Sequence, residues 1–213
     1  MTDPNPLLEP WTAPFGLPPF AQVRAEHFEP AFREAMAVHR DELAVITAQA
    51  ESPTFDNTVA AFDRCGRLLG RIDALFYNLT ASETSPALQR VQLAMAGPRA
   101  EHDSAVCMDP RLFARIDELH RHRADLGLTA EQRRLLERVH LDFVRAGACL
   151  HGSAQQRYAA IMSELARLTT RFAQNVLHDE NAFRLQLVGE ADLAGLPSFL
   201  RAAARQAAAE RGL

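Results

Sequence analysis

Eight histidines are the residues of this chain best suited to bind a metal ion. A zinc-binding helix of the His-Glu-x-x-His type, which places two imidazoles one helical turn apart, does not occur. His120 and His122 are two residues apart, so they lie on different sides of a helix. Glu137 and His140 have the i, i+3 spacing of di-iron bundles, but such a site needs that motif twice.

Two further histidines, His178 and His39, also favour no metal site. His178, Asp179 and Glu180 are consecutive, so their side chains diverge around a helix. His39 falls on an apolar stripe, which favours a hydrogen-bonded core histidine over a metal ligand. We therefore predict no metal-ligating residue in this chain.

Nucleophiles and phosphate-binding loops are not indicated either. The chain has neither a Gly-x-Ser-x-Gly motif nor a glycine-rich run before a helix. Cys65, Cys107 and Cys149 are spaced 42 residues apart, but their neighbours share nothing, so we interpret each as a small buried apolar residue. The sequence predicts no catalytic residue and no cofactor-binding residue.

Composition excludes several classes of protein. The 213 residues are 47% hydrophobic and 23% charged, with a net charge of −4, and every basic side chain apart from histidine is an arginine. A non-specific nucleic-acid binder or a polybasic membrane anchor needs a positive excess, so we predict neither a nucleic-acid nor a membrane partner. No secretory signal and no membrane-spanning run is evident, and the odd cysteine count favours a reduced, cytoplasmic protein.

The first 24 residues predict an extended arm, because six prolines alternate there with large apolar side chains. Those apolar side chains indicate an arm packed on the bundle. From residue 25 to residue 182 the apolar residues recur at steps of three and four, which is the period of a helix.

Individual helix boundaries are indicated by capping residues. Ser85-Pro86 and Asp109-Pro110 predict helix starts, and Thr129–Gln132 and Ser153–Gln156 predict capping boxes. Gly97-Pro98 is expected to kink or end its helix. One continuous helix is predicted to carry Phe62, Cys65, Leu69, Ile72, Phe76 and Leu79 on one face.

The fold class is therefore all-α, a multi-helix antiparallel bundle with a proline-rich arm. Residues 183–213 are expected to form a short strand, Phe183 to Val188, and an alanine-rich helix after Pro197. A lone strand cannot satisfy its own backbone, so it must pair with something. We expect three parts: an arm over residues 1–24 packed on the bundle, a helical domain over residues 25–182, and a segment over residues 183–213 with the strand and the alanine-rich helix.

A series of short motifs runs along almost the whole chain. In chain order the motifs are Asn5-Pro6-Leu7-Leu8, Leu17-Pro18-Pro19-Phe20, Glu26-His27-Phe28-x-Pro30-Ala31-Phe32, Pro53-Thr54-Phe55-x-Asn57-Thr58, Gly66-x-Leu68-Leu69-x-Arg71, Leu112-Phe113-Ala114-Arg115-Ile116, Phe143-Val144-x-x-Gly147-Ala148, Gln174-Asn175-Val176-Leu177 and Asp192-Leu193-Ala194-Gly195-Leu196-Pro197. Together they resemble the N-terminal region of the M3 family of thimet-type zinc oligopeptidases. Within that family, the arrangement around Gly66–Thr84 and Leu112–Leu119 is more similar to the bacterial peptidyl-dipeptidase branch than to the oligopeptidase A branch. The resemblance implies that residues 183–213 lead into a catalytic part that this chain lacks.

The resemblance implies a helical enzyme in which two lobes flank a substrate channel. It implies that the full-length protein binds zinc through a later His-Glu-x-x-His helix, hydrolyses short peptides, and releases C-terminal dipeptides. It further implies that this fragment supplies a wall and partial lid of the channel, packs on its own C-terminal catalytic domain, and is inactive alone. The alternatives are a stand-alone non-enzymatic helical interaction module and a helical ligand carrier.

Overall fold

A computed structural model describes residues 4–212, and it confirms the all-α fold class because no strand occurs among these residues. Two 3₁₀ turns and one π-helical turn accompany the α-helices, at Pro14–Gly16, Ala25–His27 and Phe55–Val59. The helices are α1 (Phe28–Thr47), α2 (Ala60–Arg64), α3 (Arg67–Ser82), α4 (Pro86–Cys107), α5 (Pro110–Arg121), α6 (Ala130–Arg145), α7 (Gly152–Ala182) and α8 (Ser198–Glu210).

Three of the four predicted helix starts are confirmed by their capping hydrogen bonds. The Ser85 hydroxyl accepts from the backbone N–H of Leu88, and the Asp109 carboxylate accepts from the first two free N–H groups of α5. Thr129 and Gln132 form the reciprocal capping box. Each cap satisfies an N–H group that has no acceptor inside its own helix.

The fourth start is wrong. Helix α7 begins at Gly152, one residue before Ser153, and the Ser153 hydroxyl makes no capping bond among residues 4–212. The Gln155 amide, just inside the helix, donates instead to the Met108 carbonyl after α4. The predicted capping box is therefore not formed, and Gln155 contacts a distant segment instead.

The predicted continuous helix through Cys65 is also wrong, because it is broken between α2 and α3. Gly66 has a φ of +69°, a left-handed conformation that L side chains disfavour, and its N–H donates to the Glu42 carboxylate over 2.7 Å. The apolar period continues across the break, but the glycine conformation interrupts the helix. By contrast, Gly97-Pro98 does not end α4, which runs through both residues.

Two apolar clusters form the core of the larger unit, and α1 and α4 contribute to both. The first cluster joins the N-terminal half of α1 to α3 and to the N-terminal half of α4, around Phe28, Phe32 and Phe76. The second joins the C-terminal ends of α1 and α4 to α5 and α6, around Ile116 and Leu136.

The arm contributes to the first cluster near both of its ends. Leu7 is fully buried, and Leu8 and Trp11 pack against the cluster. Further along, Leu17 and Phe20 are about half exposed and Phe15 is fully exposed, but Val23 is again buried in the cluster. The arm therefore packs at its two ends, and the apolar side chains between them are largely exposed.

The predicted strand is not formed. Residues 183–188 have no regular structure, and no other described segment offers the neighbouring backbone that a strand requires. The alanine-rich helix after Pro197 is confirmed as α8. The chain divides into two compact units between Gln174 and Asn175, within α7, while the predicted domain limits stay predictions.

No helix in the described range is long and apolar enough to cross a lipid bilayer.

Candidate functional site

A groove of about 450 Å³ lies beside α3, α4 and α7 in the larger unit. Helix α7 lines it with a mixture of apolar and hydroxyl side chains, among them Met162, Leu165 and Thr169, and the charged side chains come from α3 and α4. The groove is lined by Phe32, Asp73, Phe76, Tyr77, Gln92, Met95, Ala96, Arg99, Ala100, Asp103, Ser104, Cys107, Ala146, Tyr158, Met162, Leu165, Ala166, Thr169 and Thr170.

An ion pair between Asp73 and Arg99 dominates the electrostatics of this groove. The Arg99 guanidinium also lies over the Phe32 ring, 5.3 Å from its centroid. Burial opposes the charged guanidinium, but the hydrogen bond from Arg99 to Asp73 and the charge of that carboxylate outweigh it and raise the pKa of Arg99. Arg99 is therefore charged at any physiological pH.

Asp103 is the second carboxylate in the groove. The pKa of Asp103 is raised above its ordinary value. Desolvation is the main cause, the Arg99 charge opposes it, and the charge of the nearby Asp73 adds to it. Its side chain accepts no hydrogen bond from the described residues. The groove thus holds two acidic groups and one arginine, a set able to bind polar or charged parts of a ligand.

The groove has a thiol, but this thiol is a poor nucleophile. Burial, followed by the charges of Asp103 and Asp142, raises the pKa of Cys107 to about 11. Only the thiolate reacts, so Cys107 is inert at neutral pH. The side chains of this groove can bind a ligand that fits its shape, but they do not support a catalytic step.

The predicted hydrogen bond of His39 is present, and its partner is a second histidine that sequence reasoning missed. His39 Nδ1 lies 3.0 Å from His102 Nε2, between α1 and α4. Desolvation lowers the pKa of both rings, and for His102, where the charges of His39, Arg40 and Arg99 add to it, the pKa falls to about 4. The pair therefore holds two neutral imidazoles.

A second histidine pair connects α5 and α6. The rings of His120 and His140 stack with centroids 3.8 Å apart, and His140 Nε2 lies 3.1 Å from an Asp117 carboxylate oxygen. His122 lies apart from this pair and bonds the carbonyl of Glu118. Across residues 4–212, no group of three histidine, cysteine, aspartate or glutamate side chains converges to hold a metal ion.

The cysteine prediction is partly wrong. Cys65 and Cys107 are half-buried and free, but Cys149 is exposed. Cys149 lies in the turn after α6, where the neighbouring Ala148 fills the buried position instead. Apolar composition alone does not distinguish these two consecutive residues.

Two arginines within the quoted motifs link those motifs to each other. Arg71 donates to the carbonyls of Leu7 and Glu9 at 2.9 and 3.0 Å, and its guanidinium lies 4.6 Å from the Trp11 ring centroid. It therefore joins the arm to α3.

Arg115 plays the same part between α5 and the segment before α2. It is buried and donates to Asn57 Oδ1 over 3.0 Å, to the Glu51 carbonyl over 3.0 Å and to the Thr58 hydroxyl over 3.3 Å. No carboxylate pairs with it in the described chain. Both arginines were visible as motif members, but their partners lie more than 50 residues away and are not readable from the sequence.

Comparison with known proteins gives matches along the whole chain. It is 36% identical over 213 residues to the dipeptidyl carboxypeptidase of Escherichia coli, and 34% identical over 209 residues to that of Salmonella typhimurium. The oligopeptidase A of Escherichia coli is 28% identical over 209 residues. The resemblance to the M3 peptidases is confirmed.

The sequence identities also agree with the predicted branch, because the identity to the dipeptidyl carboxypeptidase of Escherichia coli is higher than the identity to its oligopeptidase A. The chain covers 98 to 100% of its own length in these matches but only 30 to 31% of the length of each relative. It therefore corresponds to about a third of an M3 peptidase. No family model matches the chain.

Proposed function

We propose that this chain is the N-terminal helical region of a zinc-dependent M3 oligopeptidase, in which it forms a wall and partial lid of the substrate channel. The observation that carries the proposal is the similarity to peptidases over the whole chain but over only 31% of their length. Short peptides are the proposed substrates, with release of C-terminal dipeptides, and the protein's own C-terminal catalytic domain is the proposed partner. A cytoplasmic location belongs to the same proposal.

The residues that the structure describes do not form a zinc site. Each histidine pair offers two imidazoles, and within residues 4–212 no group of three protein ligands, as a catalytic zinc requires, converges at either pair. His102 Nε2 and His39 Nδ1 are also occupied with one another. The zinc and its ligands are therefore assigned to polypeptide outside these 213 residues.

A channel wall needs rigidity and an apolar surface facing the rest of the enzyme, and both are supported here. The arm is tied to α3 by Arg71, and α5 is tied to the segment before α2 by Arg115. On α7, Ile161, Leu165, Leu168 and Phe172 follow helical spacing and are 47 to 70% exposed. Such a stripe is suited to cover by another domain, which would exclude water from the channel.

The test compares two polypeptides: the 213-residue chain and the full-length product of its gene. Each is incubated with zinc and an N-terminally blocked oligopeptide, and the products are identified by mass spectrometry. We expect dipeptides only from the full-length protein, and bound zinc, measured by elemental analysis, only in that protein. Zinc-dependent cleavage by the 213-residue chain would refute the proposal.

The exposed α7 stripe also suits the alternative, a non-enzymatic helical module that binds a partner protein. The reading frame of the gene beyond Leu213 distinguishes the two functions. A frame that continues into a His-Glu-x-x-His segment supports the peptidase, and a frame that stops there supports the binding module.

A further inference from the structure

Residues 183–188 combine the sequence of a strand with a backbone that no other segment of residues 4–212 pairs with. Apolar Phe183, Leu185 and Leu187 alternate with polar Arg184 and Gln186. Phe183 and Leu185 are 74% and 75% exposed. This alternation is typical of a strand with one apolar face, and here that face is open.

The backbone of this segment is free on both edges. The N–H groups of residues 184–187 have no acceptor in the described chain, and the carbonyls of residues 183–188 accept no hydrogen bond there. Unpaired backbone groups of this kind form a template for another strand. A second strand that pairs with such an edge forms backbone hydrogen bonds with every second residue of the segment.

Side-chain contacts lie at both ends of the segment. At the start, the Arg184 guanidinium donates to the Ala182 carbonyl at the end of α7. At the end, Asp192 accepts from the Val188 N–H over 3.0 Å, and Glu190 pairs with Arg201 of α8 over 2.9 Å. Contacts of this kind restrict the ends of a segment, which reduces the conformational entropy lost on pairing.

Beside the segment lies a groove of about 490 Å³ whose other wall is α8. Ala204, Ala207 and Ala208 supply that wall, and their small side chains leave the space unfilled. Four arginines also line the groove, Arg184, Arg201, Arg205 and Arg211, and within residues 4–212 only Arg201 pairs with a carboxylate. The groove therefore suits a segment that carries apolar side chains and at least one carboxylate.

We propose that residues 183–188 form a β-strand by pairing with an extended segment of the full-length polypeptide outside these 213 residues. An apolar side chain of that segment enters the groove over the alanines of α8, and its carboxylate pairs with an arginine of the rim. The occupant is assigned to the same polypeptide because the M3 relatives are about three times as long as the matched region. This inference rests on the proposed function.

Hydrogen exchange tests the strand directly. The amides of residues 184–187 are measured by mass spectrometry in the 213-residue chain and in the full-length protein. We expect exchange close to that of an unstructured peptide in the former and at least about 100-fold slower exchange in the latter. Unprotected amides in the full-length protein overturn the proposal.

Proline variants of the full-length protein identify the paired edge. Successive N–H groups of a strand point to opposite edges, so Leu185→Pro and Gln186→Pro each remove a donor from a different edge. At least one of them is expected to speed exchange of the remaining amides about tenfold or more, whereas the matched Leu185→Ala leaves backbone pairing in place. If neither proline has an effect, the proposal is wrong.

Peptide hydrolysis, measured on the same full-length sample, separates the two proposals. If the full-length protein hydrolyses peptides but its amides at residues 184–187 are unprotected, the peptidase proposal stands and the strand proposal is wrong. Protected amides without hydrolysis keep the strand and overturn the peptidase. Protection that depends on the concentration of the 213-residue chain would assign the pairing to a second copy and overturn the proposal.

Discussion

At the scale of single residues, the His39–His102 hydrogen bond occupies a position between the two apolar clusters. On α1, His39 follows Met36 of the first cluster and precedes Leu43 of the second. On α4, His102 likewise lies between Met95 and Val106. Burial disfavours the charged form of His39, Glu42 and Asp103 favour it, and Arg99 disfavours it. The pair is a neutral polar layer inside a mostly apolar core.

This layer predicts a loss of stability in mild acid. An unfolded imidazole titrates near pH 6.5, whereas folded His102 titrates near pH 4, so the unfolded chain binds more protons between these values. Stability is therefore full above pH 6.5 and falls as the pH is lowered. From pH 7 to pH 5 we expect the free energy of unfolding to fall by about 1–2 kcal/mol, allowing for solvent screening.

Urea unfolding followed by circular dichroism at both pH values measures this loss. His102→Gln keeps a polar side chain but cannot titrate, so it is expected to reduce the difference between the two pH values. The matched control is His122→Gln, at an exposed position. An unchanged pH dependence in His102→Gln would show that the histidine pair is not its source.

At the scale of helices, the break between α2 and α3 directs α3 into the first apolar cluster. Gly66 adopts the left-handed conformation there, and a Cβ at this position would lie 3.2 Å from the His39 ring. Gly70, four residues later, lies inside α3, and a Cβ there would meet no atom within 4 Å. Two glycines in one short stretch therefore have opposite roles.

Substituting alanine at each of these glycines is expected to change stability in opposite directions. Gly66→Ala should lower the free energy of unfolding by about 1–2 kcal/mol, because a side chain strains the left-handed backbone and crowds His39. Gly70→Ala should raise it by about 0.5–1 kcal/mol, because alanine favours the helix. Urea titration of both variants at pH 7 measures the two changes, and a stabilising Gly66→Ala would contradict the structure.

At the scale of the whole molecule, α7 packs on α4 through polar contacts rather than through its apolar stripe. The Ser163 hydroxyl donates to the Glu101 carboxylate over 3.0 Å, and the Gln174 amide donates to the Gln89 carbonyl over 2.8 Å. Ser163 is the buried residue of this helix. The predicted apolar period of α7 is present, but it faces outward because no described element covers it.

The outward stripe predicts different effects in the short chain and in the full-length protein. Replacing Leu168 and Phe172 together with glutamine should change the stability of the 213-residue chain by less than about 0.5 kcal/mol and reduce its self-association. In the full-length protein the same change should cost about 2 kcal/mol or more, because the stripe is covered there. Thermal melting and light scattering measure these effects.

The control for this comparison is Val45→Gln, which replaces an exposed apolar residue on α1 away from the stripe. It is expected to leave both proteins unchanged. Equal effects of the double variant in the short and full-length proteins would mean that the stripe is not covered, and the proposed channel wall would lose its support.

The features that could be predicted from the sequence are local ones. The all-α class, the caps at Ser85, Asp109 and Thr129, and the relationship to M3 peptidases all arise from signals within a few neighbouring residues. Capping and helical period are local because a helix hydrogen-bonds to itself. A motif can also be matched from the sequence alone, because the match needs no knowledge of the fold.

Contacts between distant residues could not be predicted from the sequence and became visible in the folded chain. His102 beside His39, Arg115 beside Asn57, and the open groove beside α8 each depend on segments that lie far apart in the chain or on space left between them. Burial obeys the same rule: Ala148 is buried and Cys149 is exposed, although both are small and apolar. Strand formation at residues 183–188 depends on a neighbour too, because a strand, unlike a helix, takes its backbone hydrogen bonds from another segment.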